Sequence, residues 1–207
     1  APNVLVVNPK VPAQSIAELI ALAKQKPGQL TYGTPGIGTS PHMAMELFKS
    51  LADVDLQHIP YRGTAPAMTD VISGQITAMF SNALTAKPQI ESGAVRALGV
   101  SSRKRSESMP NIPPIAEAGV PNYEATQWYG LVAPAGTPAD IVARLNAEVT
   151  QALRTQDMQD KLAGDGARCD KGCVACGHAR CQMPGASSVL AYCTSSCPWC
   201  CTPYAFT

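Results

Sequence analysis

The residues best suited to chemistry sit together in Tyr32-Gly33-Thr34-Pro35-Gly36-Ile37-Gly38-Thr39-Ser40-Pro41-His42, a glycine-rich loop after a short apolar run. The chemistry they suit is anion binding. Glycines let the backbone approach a ligand and adopt positive φ, and the unpaired N–H groups at a helix start point in one direction. Ser40 reads as N-cap and Pro41 as the first helical residue. Gly33-x4-Gly38 followed by Ser40 matches part of a phosphate-binding loop, but Thr39 stands where the phosphate-pairing lysine belongs. A dinucleotide fingerprint fails too, because Pro41 stands where its third glycine is needed. Two readings stay open: a small carboxylate held by backbone N–H groups and hydroxyls, or a plain glycine-rich turn between strand and helix.

Two other loops carry candidate contacts. Arg62, in Pro60-Tyr61-Arg62-Gly63-Thr64, is able to clamp a carboxylate with parallel hydrogen bonds or simply be solvated. Ser81-Asn82 follows a buried strand directly. His42 has no cysteine or carboxylate at a spacing that implies a triad or acid/base pair, so no enzymatic centre is legible and none is expected. All eight cysteines lie from Cys169 to Cys201. Cys169-x3-Cys173-x2-Cys176 and Cys193-x3-Cys197-x2-Cys200 reproduce the cysteine spacing of radical SAM enzymes, so iron–sulfur or zinc binding is the rival reading, with His178 as another ligand. A disulfide-knotted or out-of-frame tail accounts for the same residues, since apolar periodicity and nearly all acids vanish beyond Gly166.

The elements that must position these groups alternate. Val4-Leu5-Val6-Val7 reads as a strand buried on both faces of a parallel sheet. Ser15 caps a helix with Glu18 completing a capping box, and Ile16, Leu19, Ile20 and Ala23 form its apolar face. Strand Leu30 to Tyr32 feeds the glycine loop, and the following helix carries Ala44, Leu47, Phe48 and Leu51 as its core stripe. Strand 56–59, helix 65–72, strand 76–80, a helix to about Ser92 and strand 95–100 continue the pattern. A short helix is expected over 115–118, an extended segment over 123–132, a helix after Thr137-Pro138 with Ile141, Leu145, Val149 and Leu153 in line, and a last helix over 158–162. Such alternation predicts an α/β sheet with ligands outside the carboxyl ends of its strands.

With 16 basic and 15 acidic side chains in 207 residues the formal charge is +1, which argues against nucleic acid as the main partner. No apolar run is long enough to cross a membrane, and Ala1-Pro2-Asn3-Val4 lacks the regions of a signal peptide.

Several segments together resemble the Bug family of periplasmic solute-binding receptors, the extracytoplasmic component of tripartite tricarboxylate transporters. They are residues 2–9, the 32–42 loop, 60–67, Met79-Phe80-Ser81-Asn82, Ala116-Glu117-Ala118-Gly119 and Ala133-Pro134-Ala135-Gly136-Thr137-Pro138. The resemblance implies a type II periplasmic-binding-protein fold that closes two lobes on a small carboxylate, with no cofactor and with membrane transporter subunits as partners. By that likeness, 1–121 is one complete lobe, 122–166 a partial return to the other, and 167–207 an unrelated cysteine-rich tail. The first-lobe segment and leader of the family are expected to be missing, which would leave a truncated, weakly binding receptor. The expected ligand contacts are Thr34, Gly36, Gly38, Thr39, Ser40 and Asn82, with Tyr61, Arg62 and Trp128 beside them.

Overall fold

The computed structural model describes residues 1–127, 131, 133–134 and 136–164, together with the backbone of strands Ala179–Cys181 and Val189–Ala191. The chain divides into two units, Ala1–Trp128 with Ala163–Ala167, and Tyr129–Leu162 with Arg168–Thr207.

In the first unit, strands β1 (Asn3–Val7), β2 (Thr31–Thr34), β3 (Gln57–Pro60), β4 (Ala78–Asn82) and β5 (Arg96–Val100) form one sheet in the order β3-β2-β4-β1-β5. Helices α1 (Ile16–Gln25), α2 (Ser40–Ala52), α3 (Thr64–Ser73) and α4 (Ala83–Glu91) alternate with the strands. Because side chains alternate along a strand, β1 feeds two cores at once. Leu5 and Val7 join Ile16, Leu19, Ala44, Met45 and Phe48 of α1 and α2. Val4 and Val6 join Ala67, Met68, Val71, Ala83 and Ala86 of α3 and α4. The sheet is therefore covered by helices on both faces, as the alternating pattern predicts.

One expectation fails. β1 is buried along its whole length but runs antiparallel to both neighbours, β4 and β5, so the sheet is mixed. A continuous apolar run reports burial on two faces and carries no information about direction. The consequence is functional: reversing β1 puts its first residue, Asn3, directly opposite Asn82 at the end of β4.

Smaller differences have local causes. The Ser15 hydroxyl accepts from Glu18 N at 3.2 Å, but the Glu18 carboxylate accepts from Gln14 N at 2.7 Å, so the capping box closes one residue early. Helix α2 buries Ala44, Met45 and Phe48, leaving Leu47 and Leu51 exposed at 37% and 45%. Residues 115–118 make a hydrogen-bonded turn, with Glu117 N and Ala118 N both donating to Pro114 O, rather than a helix.

Tyr123 is built into the first core: its hydroxyl donates to Ala44 O at 2.9 Å and its ring packs against Phe48 and Phe80. Helices α5 (Ala139–Leu153), in the second unit, and α6 (Gln156–Gly164), which begins in it, follow the helical pattern, with Ile141 and Leu145 exposed. Strands β6 (Ala179–Cys181) and β7 (Val189–Ala191) pair antiparallel. The cysteines other than Cys181 lie outside the described residues. Among the described residues no three His, Cys, Asp or Glu side chains gather to hold a metal ion, and no helix is long and apolar enough to cross a membrane.

Candidate functional site

β2 and β4 are parallel neighbours, and β1 begins where they end. Their shared rim collects the start of α2, the start of α4 and Asn3.

Thr39, not Ser40, is the N-cap of α2, with φ −71° and ψ 159°, which moves Pro41 to the second helical position. Its hydroxyl makes no bond to the helix it caps and donates to Gly36 O at 2.7 Å. The threonine is spent on closing the glycine loop. The first helical turn thus keeps backbone N–H groups with no side-chain acceptor, the arrangement that suits an external anion. Gly36 at φ +148° and Gly38 at φ +76° shape the loop in regions that side chains rarely adopt. Asn82 caps α4, accepting from Thr85 N at 2.8 Å, so a second helix start opens at the end of β4.

Asn3 has no place among the sequence candidates, yet it joins these parts. Its backbone pairs with Ser101, whose Oγ accepts from Asn3 N at 2.7 Å and whose N donates to Asn3 O at 2.8 Å. Its side chain reaches across to α2, with Nδ2 donating to Ser40 Oγ at 3.2 Å. Asn3 is 1% exposed, and its Oδ1 has no hydrogen-bond partner. A buried acceptor left unmade costs about 1–3 kcal/mol. Ser81 Oγ, on the opposite face of β4, is a second buried orphan.

Thr34 lies beneath the loop, fully buried. Its hydroxyl stands 2.6 Å from His58 Nε2 and 3.2 Å from Gly36 O. His42 Nδ1 accepts from Gly38 N at 3.1 Å. The rings of Tyr32, His42 and His58 stack on one another. The Tyr32 hydroxyl donates to the Glu46 carboxylate, which also pairs with Lys49 at 3.0 Å. Burial, then positive charge at His42 and Lys49, holds the His58 imidazole below its ordinary pKa despite the opposing charge of Glu46. Burial alone would raise Glu46, but the Tyr32 and Lys49 hydrogen bonds hold its carboxyl down.

Tyr61 continues the β2–β3 pairing through its N–H to Thr34 O at 2.9 Å, and its hydroxyl donates to Asp70 Oδ2 at 2.6 Å. Burial first, then that hydrogen bond and the Asp70 charge, push the phenol up to about 12. Arg62 is exposed. Trp128 lies outside the described residues. The structure therefore gathers Gly36, Gly38, Thr39, Ser40 and Asn82 at one rim, sets Thr34 under it, and adds Asn3. Only the polar residue ahead of Val4–Val7 hinted at Asn3, and the hint has no meaning until the direction of β1 is known.

The family model of the tripartite tricarboxylate transporter family receptor matches residues 1–170. A protein of Pseudomonas sp. (strain P51), described as the UPF0065 protein in the tcbD-tcbE intergenic region, is 40% identical over 162 residues, 78% of this chain and 48% of that one. Protein BugT of Bordetella pertussis is 35% identical over 166 residues, 80% of this chain and 51% of its own. The chain spans about half the length of these curated relatives. Among solved structures, R. palustris Rpa4515 with adipate is similar at 39% identity and a TM-score of 0.76, over 80% of this chain and 55% of that one. The chain belongs to the tripartite tricarboxylate transporter receptor family, periplasmic solute-binding proteins that include the Bug receptors.

Proposed function

We propose that this chain supplies one wall of a cleft that binds a small carboxylate, and that it binds without transforming it. The observation that carries the reading is the start of α2, whose N-cap Thr39 gives its hydroxyl to Gly36 O and leaves the first-turn N–H groups for a ligand. Gly36, Gly38, Ser40 and Asn82 make the contacts, Thr39 and Thr34 hold the loop, and Tyr61 and Arg62 flank it. Adipate in the R. palustris relative supports a dicarboxylate of that size class. In this reading the unit Ala1–Trp128 is the ligand-binding lobe, the chain beyond it returns toward the other lobe, and the protein works in the periplasm, passing its ligand to the membrane subunits of a tripartite transporter.

Titration of the chain with adipate, followed by amide chemical shifts, tests the reading. Saturable shifts at Gly36, Gly38, Ser40 and Asn82 are expected. Ligands in complete pockets lose roughly 70–90% of their surface to protein, so a single wall is expected to give dissociation constants of about 1 mM. Absence of loop shifts at tenfold that concentration would sink it.

A further inference from the structure

We propose that Asn3 is a positioning residue for carboxylate binding: its amide feeds the Ser40 oxygen and so turns the Ser40 hydroxyl proton toward the ligand. The inference rests on the carboxylate reading of the α2 rim and names a regulator of that same site.

A hydroxyl has one proton and two lone pairs. Asn3 Nδ2 donates to Ser40 Oγ at 3.2 Å, which occupies a lone pair and leaves the proton to point elsewhere. Ser40 is the first residue of α2, where the helix dipole and uncapped N–H groups already favour negative charge. A hydroxyl that donates here adds to them, whereas one that presents lone pairs opposes them. Asn3 makes that choice at a cost, because its own Oδ1 is buried without a donor. Turning the amide by 180° would let Ser40 donate to Oδ1, but Nδ2 would then take the position without a partner and the Ser40 proton would be lost to the ligand. With Nδ2 on Ser40 the pair leaves the Ser40 proton to the ligand. The strand cannot shift to relieve the orphaned Oδ1, since the Asn3 backbone is pinned to Ser101 on one side and paired with Asn82 on the other.

A double-mutant cycle on the full chain, with adipate as probe and loop amide shifts as readout, tests this. Hydrogen bonds to charged groups contribute enough that Ser40→Ala is expected to weaken binding roughly tenfold. Asn3→Ala is expected to weaken it similarly, and the double variant no more than Ser40→Ala alone, because Asn3 acts only through Ser40. Independent losses that multiply to roughly a hundredfold, or wild-type affinity in Asn3→Ala, would overturn the proposal. Asn3→Asp is the isosteric second variant, should the alanine variant unfold. Its carboxylate only accepts and captures the Ser40 proton, so a loss of at least tenfold is expected at pH 7. That loss is expected to shrink in the Ser40→Ala background, where charge repulsion alone would persist; retained affinity, or a loss undiminished in that background, refutes the inference. If wild type gives no shifts with adipate, the carboxylate reading fails and this inference with it. Wild-type binding with a multiplicative cycle removes the inference alone.

Discussion

The rings of His42 and His58 stack at a centroid separation of 4.3 Å and an interplanar angle of 27°, joining the first turn of α2 to the edge strand β3. Each also holds the glycine loop: His42 Nδ1 accepts from Gly38 N, and His58 Nε2 meets the Thr34 hydroxyl. Protonating His58 would place a cation face to face with the His42 ring and change the group that meets the Thr34 hydroxyl.

Stability is therefore expected to fall as the pH is lowered from 7 to 5. His58 has a folded-state pKa below the ordinary imidazole value of 6.5, so the unfolded chain takes up protons first. Where the unfolded state binds more protons, stability decreases with falling pH. Glu46, also shifted down but from the ordinary carboxylate value of 4.5, acts mainly below this window. Denaturant melts of wild type and His58→Gln at pH 7 and pH 5 check this; an equal loss in both would remove His58 as the cause.

The two faces of α2 separate cleanly by substitution. Phe48 is fully buried and stacks edge-on against Tyr123, so Phe48→Ala is expected to cost about 3–5 kcal/mol. Leu51, 45% exposed, is expected to tolerate Leu51→Gln within about 0.5 kcal/mol. Chemical denaturation measures both. A large loss at Leu51 would restore the core stripe read from sequence.

That stripe shows where sequence reasoning reaches its limit. Leu47 and Leu51 share helical spacing with Ala44 and Phe48, and a spacing argument has no means of telling a core edge from an exposed apolar face. Met45, equally apolar and fully buried, was the better choice. The alternation of strand, loop and helix was legible because each apolar run is bounded by glycine, proline or a capping residue. The glycine loop was legible for the same reason. Asn3, His58 and Ser101 were not, because their roles depend on which strands become neighbours, a long-range property. Asn3 meets Ser40 only because β1 runs against the rest of the sheet.

Gly33 is required by close approach rather than by its backbone angles. A Cβ there would collide with Ile76 Cδ1 and stand 3.2 Å from Tyr61 Cε2 and 3.4 Å from Ala67 Cβ. Overpacking of this kind costs about 1–3 kcal/mol, so Gly33→Ala is expected to lower the melting midpoint measurably. An unchanged midpoint would mean that the Ile76 side chain and its neighbours Tyr61 and Ala67 give way without resistance.

Gly38 presents the opposite case. No atom lies within 4 Å of where its Cβ would sit, but its φ is +76°. Gly38→Ala therefore meets no clash and pays only backbone strain, about 1 kcal/mol or slightly more. Its position makes the effect on binding larger than the effect on stability. The Gly38 N–H is tied to His42 Nδ1, and the Gly36 carbonyl beside it holds the Thr39 hydroxyl away from the helix start. If the strain relaxes through a rearrangement of the 36–38 backbone that moves the Gly36 carbonyl, Thr39 is released to cap α2 and compete with the ligand for the first-turn N–H groups. Adipate affinity is then expected to fall several-fold, and Thr39→Ala in the Gly38→Ala background is expected to recover part of it by removing the competing hydroxyl. A further loss in that double variant would show that Thr39 contacts the ligand itself rather than guarding the loop.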